Sequence, residues 1–140
     1  MKNKRIDYQG SKLRRKDLVE SPVEMFRIWF EQVEGIHPFE STAMTLSTSN
    51  RDGKPSSRIV LLKGYGEGGF VFYTNYGSRK GREIEENPYG SLNFYWPSQE
   101  RQVRINGKLR KVSHSRSEEY FRSRPLRSQI AALASNQSGK

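Results

Sequence analysis

Three short blocks hold the residues whose types and spacing could do chemistry: Arg58-Ile59-Val60-Leu61-Leu62-Lys63, Phe72-Tyr73-Thr74-Asn75 and Gly77-Ser78-Arg79-Lys80. In the first, a cation stands at each end of four aliphatic residues. A strand built this way presents a hydrophobic surface bracketed by positive charge, which suits a flat aromatic ligand with an anionic tail. In the third, Ser78 precedes a helix start, so Arg79 and Lys80 fall where backbone N–H groups lack intrahelical acceptors. Two cations beside such amides make a good seat for a phosphate. Ordinary strand ends and helix capping explain either block alone; together they point to a phosphorylated aromatic ligand.

Other chemistries fare poorly. His37 and His114 are the only histidines, stand far apart and have no clustered carboxylates, which argues against a protein-built metal site or a Ser-His-Asp triad. Both read as surface or turn residues. The absence of cysteine rules out disulfides and thiolate ligands. No phosphate loop or dinucleotide fingerprint occurs, and Gly66-Glu67-Gly68-Gly69 reads as a hairpin turn.

The balance of 25 basic against 15 acidic residues, a net charge of +10, invites anionic partners, nucleic acid among them. Gly69-Phe70-Val71-Phe72-Tyr73 bears a faint likeness to the aromatic strand of an RNA-recognition domain. In a strand, however, Phe70 and Phe72 face one way and Val71 and Tyr73 the other, and a barrel core explains one of those faces without a ligand. A basic nucleic-acid-binding module therefore stands as the weaker alternative. The charge is concentrated at the ends: +4 over residues 1–20, −2 over 21–100 and +8 over 101–140. No apolar run is long enough to span a membrane and none follows the basic N-terminus, so a soluble cytoplasmic protein is expected.

The 140 residues suffice for one domain with a real core. Residues 1–20 show no amphipathic period and read as an extended, mobile basic arm or lid; residues 21–140 read as the domain. Ser21 as N-cap, Pro22 at the first helical position and Glu24 predict a helix, with Val23, Phe26, Trp29, Phe30 and Val33 on one face and Gly35 as the stop. A β-meander follows: a strand over Ala43–Thr48, a turn through Asp52-Gly53, a strand over Ser57–Tyr65 and a third over Phe70–Asn75. Ser78 caps a short helix over Arg79–Glu86, ended by Asn87-Pro88. Tyr89–Trp96 predicts a strand with Leu92, Phe94 and Trp96 on one face, and Arg101–Val112 another, bent or bulged near Asn106-Gly107. A helix beginning at Ser115 or Ser117 carries Tyr120 and Phe121, and Ser128–Ser135 a last short one. Five antiparallel strands with peripheral helices suggest an α+β fold built on a small β-barrel.

At these same blocks the sequence strongly resembles the pyridoxamine 5′-phosphate oxidase family. The resemblance runs from Leu13-Arg14-Arg15-Lys16-Asp17-Leu18 through the blocks above to Glu100-Arg101-Gln102-Val103, Tyr120-Phe121-Arg122-Ser123-Arg124-Pro125, Ser128-Gln129-Ile130, and Ser135 with Gln137-Ser138. It implies an antiparallel split β-barrel that binds FMN and a homodimer with FMN at the subunit interface; no membrane partner is expected, and nucleic acid is disfavoured. The implied activity is oxidation of pyridoxamine or pyridoxine 5′-phosphate to pyridoxal 5′-phosphate with dioxygen as acceptor. By position, FMN contacts fall to Arg58, Ile59, Val60, Leu61, Leu62 and Lys63, to Tyr73, Thr74, Arg79, Lys80 and Gln102, and to Gln137 and Ser138. The substrate falls to Lys63, Tyr120, Arg124 and Ser128, with Arg5 and Tyr8 in the closing arm. Ile6 stands where the family often has another Arg. Family members also carry a later Trp and an Arg-x-His-x-Arg motif, which this chain does not contain. The expectation is thus a chain lacking the family's C-terminal part, with an exposed edge where closing strands would lie. The alternative within that family is a flavin- or pyridoxal-phosphate-binding split-barrel paralogue that is non-catalytic or altered in activity.

Overall fold

The computed structural model describes residues 7, 9, 10 and 12–134, with side chains to residue 130. The first helix, α1 (Pro22–Glu34), begins as its residues dictate: the Ser21 hydroxyl accepts from the Glu24 amide at 3.3 Å, and Pro22 occupies the first turn. Phe26, Phe30 and Val33 are buried on its inner face, while Arg27 bridges Glu24 and Glu31 on the outside. A five-residue helix, α2 (Pro38–Thr42), follows with His37 at its N-cap, an element the sequence reading did not foresee.

Strands β1 (Ala43–Ser49), β2 (Pro55–Leu61), β5 (Tyr89–Trp96) and β6 (Arg101–Lys108) form an antiparallel sheet in the order β2-β1-β5-β6. Cross-strand partners share a face, so the register Leu46↔Leu92 and Met44↔Val60 gathers Met44, Leu46, Val60, Leu92, Phe94 and Trp96 on the side covered by α1. Trp96 satisfies its indole N–H on the Ser41 carbonyl at 3.3 Å. The opposite face leaves Ile59, Leu61 and Tyr95 exposed.

Between β2 and β5 lie a separate hairpin, β3 (Gly64–Gly66) and β4 (Gly69–Val71), and helix α3 (Arg79–Glu86). The hairpin turns on Glu67-Gly68, as expected, with Gly69 at φ +115°. Its Tyr65 and Phe70 rings meet Phe26 at 5.0 and 4.8 Å in edge-on geometry, extending the core. Two helices close the described chain, α4 (His114–Ser123) and α5 (Leu126–Ala134).

Four expectations need correction. The strand predicted over Ser57–Tyr65 breaks after Leu61: the Leu62 amide still donates to Thr42 O at 2.8 Å, but the Lys63 amide turns to Val71 O at 2.8 Å, passing the chain from sheet to hairpin. The strand predicted over Phe70–Asn75 ends at Val71, and with both changes the meander becomes a four-stranded sheet plus a hairpin, with β1 between β2 and β5. No bulge interrupts β6, because Ser91↔Asn106 and Gly90↔Gly107 keep the ladder in register. Finally, α4 starts at His114, one hydroxyl earlier than predicted, since the Ser113 side chain caps the Arg116 amide. The described strands form no closed barrel.

Gly81 marks the tightest approach. A Cβ there would lie 2.1 Å from Tyr76 O, a backbone atom that cannot rotate away. Gly81→Ala is therefore expected to cost about 2–3 kcal/mol, the upper range for overpacking. Urea unfolding measures it, and an unchanged midpoint would contradict this packing.

Candidate functional site

Arg58 reaches inward from β2 to a corner where the sheet meets α3. Its terminal nitrogens make four hydrogen bonds: Nη1 donates to Leu46 O at 3.3 Å and to Thr48 Oγ1 at 2.6 Å, and Nη2 donates to Ser56 Oγ and to Glu83 Oε2 at 3.1 Å. Glu83, on α3, is only 6% exposed in its side chain and also accepts from the Ser56 and Thr48 hydroxyls. Arg79, one turn earlier on α3, donates Nε to Glu83 Oε1 at 2.9 Å, and its terminal nitrogens have no hydrogen-bond partner among the described residues. Burial pushes the Glu83 carboxyl up, but hydrogen bonds from Ser56, Thr48, Arg58 and Arg79 outweigh it and hold the pKa down at about 2.

Lys80 is half-buried beside this cluster. Desolvation, and then the positive charge of Arg58, push its ammonium below the usual lysine value. Among the described residues it has no ion-pair partner. Two cations thus share one carboxylate, with Lys80 near Arg58, at the start of α3, whose first-turn amides have no acceptor within the helix. Ser78 fixes that start by accepting from the Gly81 amide and donating to Asn75 O at 2.6 Å. Just before it, Thr74 Oγ1 is buried with no hydrogen-bond partner. A buried hydroxyl without a partner is costly, and this one, with the amides, Arg79 and Lys80, fits a phosphate ester well.

A second group forms at α4. The Tyr73 and Tyr120 rings stack face to face, 3.8 Å apart and 3° from parallel, and Tyr73 Oη donates to Arg116 O at 3.3 Å. Lys63 Nζ lies 5.9 Å from the centre of the Tyr120 ring. Arg124 is the C-cap of α4 and Ser128 lies in α5; among the described residues neither hydrogen-bonds Lys63 or Tyr120. Along β2 the side chains alternate, so Ile59 and Leu61 face outward while Arg58 and Val60 face the core, and Leu62 beyond the strand end is buried. Gln102 occupies the outer face of β6, donating to Asn93 Oδ1 at 2.8 Å. Arg5, Tyr8, Gln137 and Ser138 lie outside the described residues.

A cavity of about 580 Å³ opens between the hairpin, α3 and residues 108–112, walled by Phe70, Phe72, Tyr73, Thr74, Ile84 and Leu109. Of the sequence-assigned residues it touches Tyr73 and Thr74, so it adjoins the cation corner without containing it. Sequence reasoning missed Glu83, Thr48 and Ser56. The four-residue spacing of Arg79 and Glu83 was a visible signal for the first; the other two depend on the pairing Thr48↔Ser56.

The family model for pyridoxamine 5′-phosphate oxidase matches residues 28–140. The pyridoxine/pyridoxamine 5′-phosphate oxidase of Cytophaga hutchinsonii is 54% identical over 134 residues, 96% of this chain and 62% of that protein. That of Leptospira interrogans is 54% identical over 136 residues, 97% of this chain and 64% of that protein. The chain thus spans less than two thirds of the length of these curated relatives. Among solved structures, PhzG from Burkholderia lata, in complex with tetrahydrophenazine-1-carboxylic acid, superposes with a TM-score of 0.87 at 26% identity, covering 94% of this chain and 66% of that one. A pyridoxamine 5′-phosphate oxidase-related, FMN-binding protein from Nostoc punctiforme superposes at 0.66 with 18% identity, covering 80% and 63%, a likeness of fold alone. The antiparallel fold is that of these split-barrel neighbours, and with relatives this similar over nearly all its length the chain belongs to the pyridoxamine 5′-phosphate oxidase family.

Proposed function

We propose that this chain binds FMN and takes part in oxidising pyridoxamine or pyridoxine 5′-phosphate to pyridoxal 5′-phosphate. The observation that carries the reading is the corner at the start of α3, where Lys80, the free end of Arg79 and the partnerless Thr74 hydroxyl offer donors suited to a phosphate ester. These groups hold the ribityl phosphate, and the Arg58 guanidinium, locked by its four hydrogen bonds, adds fixed positive charge. The apolar outer positions Ile59 and Leu61 and the Gln102 amide address the flavin ring. Lys63, Tyr120, Arg124 and Ser128 bind the substrate phosphate, residues 1–20 with Arg5 and Tyr8 close over it, and residues 21–140, with Gln137 and Ser138, form the flavin domain. When bound, FMN would supply a hydride acceptor for the substrate C4′ carbon, with dioxygen consumed and hydrogen peroxide released; for pyridoxamine 5′-phosphate, water would also be consumed and the amine released as ammonia. The side chains contribute orientation, charge neutralisation and exclusion of water, and none acts as a nucleophile. Exposed Ile59, Leu61 and Tyr95 on one sheet face support a homodimer with FMN at its interface.

Titrating the purified chain with FMN, then supplying pyridoxamine 5′-phosphate in air, tests this. Flavin absorption bands, pyridoxal phosphate and peroxide are expected. Flavin retention without turnover reduces the reading to a binding module, and failure to bind FMN overturns it.

A further inference from the structure

We propose that Tyr120 is also a positioning residue for the flavin, acting through the ring of Tyr73. This role rests on the reading above, in which Tyr73 and Thr74 contact FMN. After Val71 the chain leaves its hairpin partner, so Tyr73 lies in a connecting segment that pairs with no strand among the described residues. What holds Tyr73 there is α4. Its ring lies 3.8 Å from that of Tyr120, the closest ring pair among the described residues, and its hydroxyl donates to Arg116 O at 3.3 Å. Arg116 and Tyr120 are four residues apart on α4, and so belong to one helix face.

The segment so fixed leads directly into the cation corner. Thr74 follows Tyr73 and carries the buried, partnerless hydroxyl, and Asn75 O accepts the hydrogen bond of Ser78 that sets the start of α3. A shift of Tyr73 therefore moves Thr74 and the cap on which Arg79 and Lys80 depend. Lys63 Nζ, 5.9 Å from the centre of the Tyr120 ring, links the same ring to the end of β2. Tyr120 offers its hydroxyl to the substrate and its ring to the flavin segment, which makes one side chain common to both sites.

The two parts of the side chain are separable by substitution. The readout is the dissociation constant for FMN, from quenching of flavin fluorescence by the full chain. Tyr120→Ala is expected to weaken FMN about tenfold, the size of effect a lost aromatic pair produces. Tyr120→Phe keeps the ring and is expected to hold FMN within a factor of about two. In a Tyr73→Ala background, Tyr120→Ala is expected to have no further effect, whereas a merely structural role for Tyr120 gives additive losses. An unchanged constant in Tyr120→Ala, equal losses in the Phe and Ala variants, or additivity with Tyr73→Ala each overturns the inference while leaving flavin binding itself standing. Absence of FMN binding by the unmutated chain overturns the underlying reading, and this role with it.

Discussion

Glu83→Ala is expected to destabilise the folded chain by about 3 kcal/mol at neutral pH, the lower end of the cost of stranding a buried charge. Arg58 keeps only 21% of its side chain exposed, and Glu83 is its sole carboxylate partner among the described residues. With the carboxylate gone, Arg58, Arg79 and Lys80 repel one another, and the Ser56 and Thr48 hydroxyls lose their common acceptor. The acid limb supplies an independent check. The folded-state pKa of Glu83, about 2, lies below its ordinary 4.5. Its stabilisation is therefore fully present above the unfolded value and is lost as the pH falls from there through about 2, a span worth about 3 kcal/mol. Other carboxylates titrate in both proteins, so the difference between wild type and variant isolates this one. Urea unfolding at a series of pH values is expected to show a gap that is wide at pH 7 and nearly closed at about pH 2. A gap independent of pH would mean that the alanine acts through packing and not through charge.

Much of the scaffold was legible because its signals are local. Ser21-Pro22 and Ser78 announce helix starts through the bonds their own hydroxyls make, and Asn87-Pro88 announces an end, so α1 and α3 stand where the sequence puts them. The alternation in Tyr89–Trp96 likewise fixes which side chains enter the core. The break after Leu61 was not legible. An apolar run says that a segment is buried but not which partner takes its amides, and here Thr42 and then Val71 share them. Arg79 and Lys80 could be assigned to an anion from their place at a helix start, whereas the role of Glu83 emerges only once β1, β2 and α3 meet. The Tyr73–Tyr120 stack joins residues with 46 others between them in the chain, and no local pattern encodes it.

Lys80→Ala is expected to weaken FMN by about 10–100-fold, the loss of one charge-assisted hydrogen bond to a phosphate. Riboflavin, which has the same ring system and no phosphate, is expected to bind both proteins equally. The ligand-free fold should not suffer. Desolvation and the nearby Arg58 charge both oppose the Lys80 ammonium, so its protonated form costs stability below its lowered pKa, and the cost is relieved as the pH rises above that value. An ammonium kept at the expense of stability, on a helix start that follows a segment carrying a partnerless buried hydroxyl, is the arrangement expected where binding and folding make opposite demands. Alanine should therefore leave the urea midpoint unchanged or raise it while FMN affinity falls. The wild-type affinity for FMN should also decline as the pH rises through the lowered pKa, and the variant should lack that decline. Arg124→Ala provides the contrast: placed at the end of α4 and assigned to substrate, it should raise the KM for the phosphorylated substrate with far less effect on flavin. Equal losses of FMN and riboflavin in Lys80→Ala would mean that this side chain supports the fold around the flavin and does not hold its phosphate.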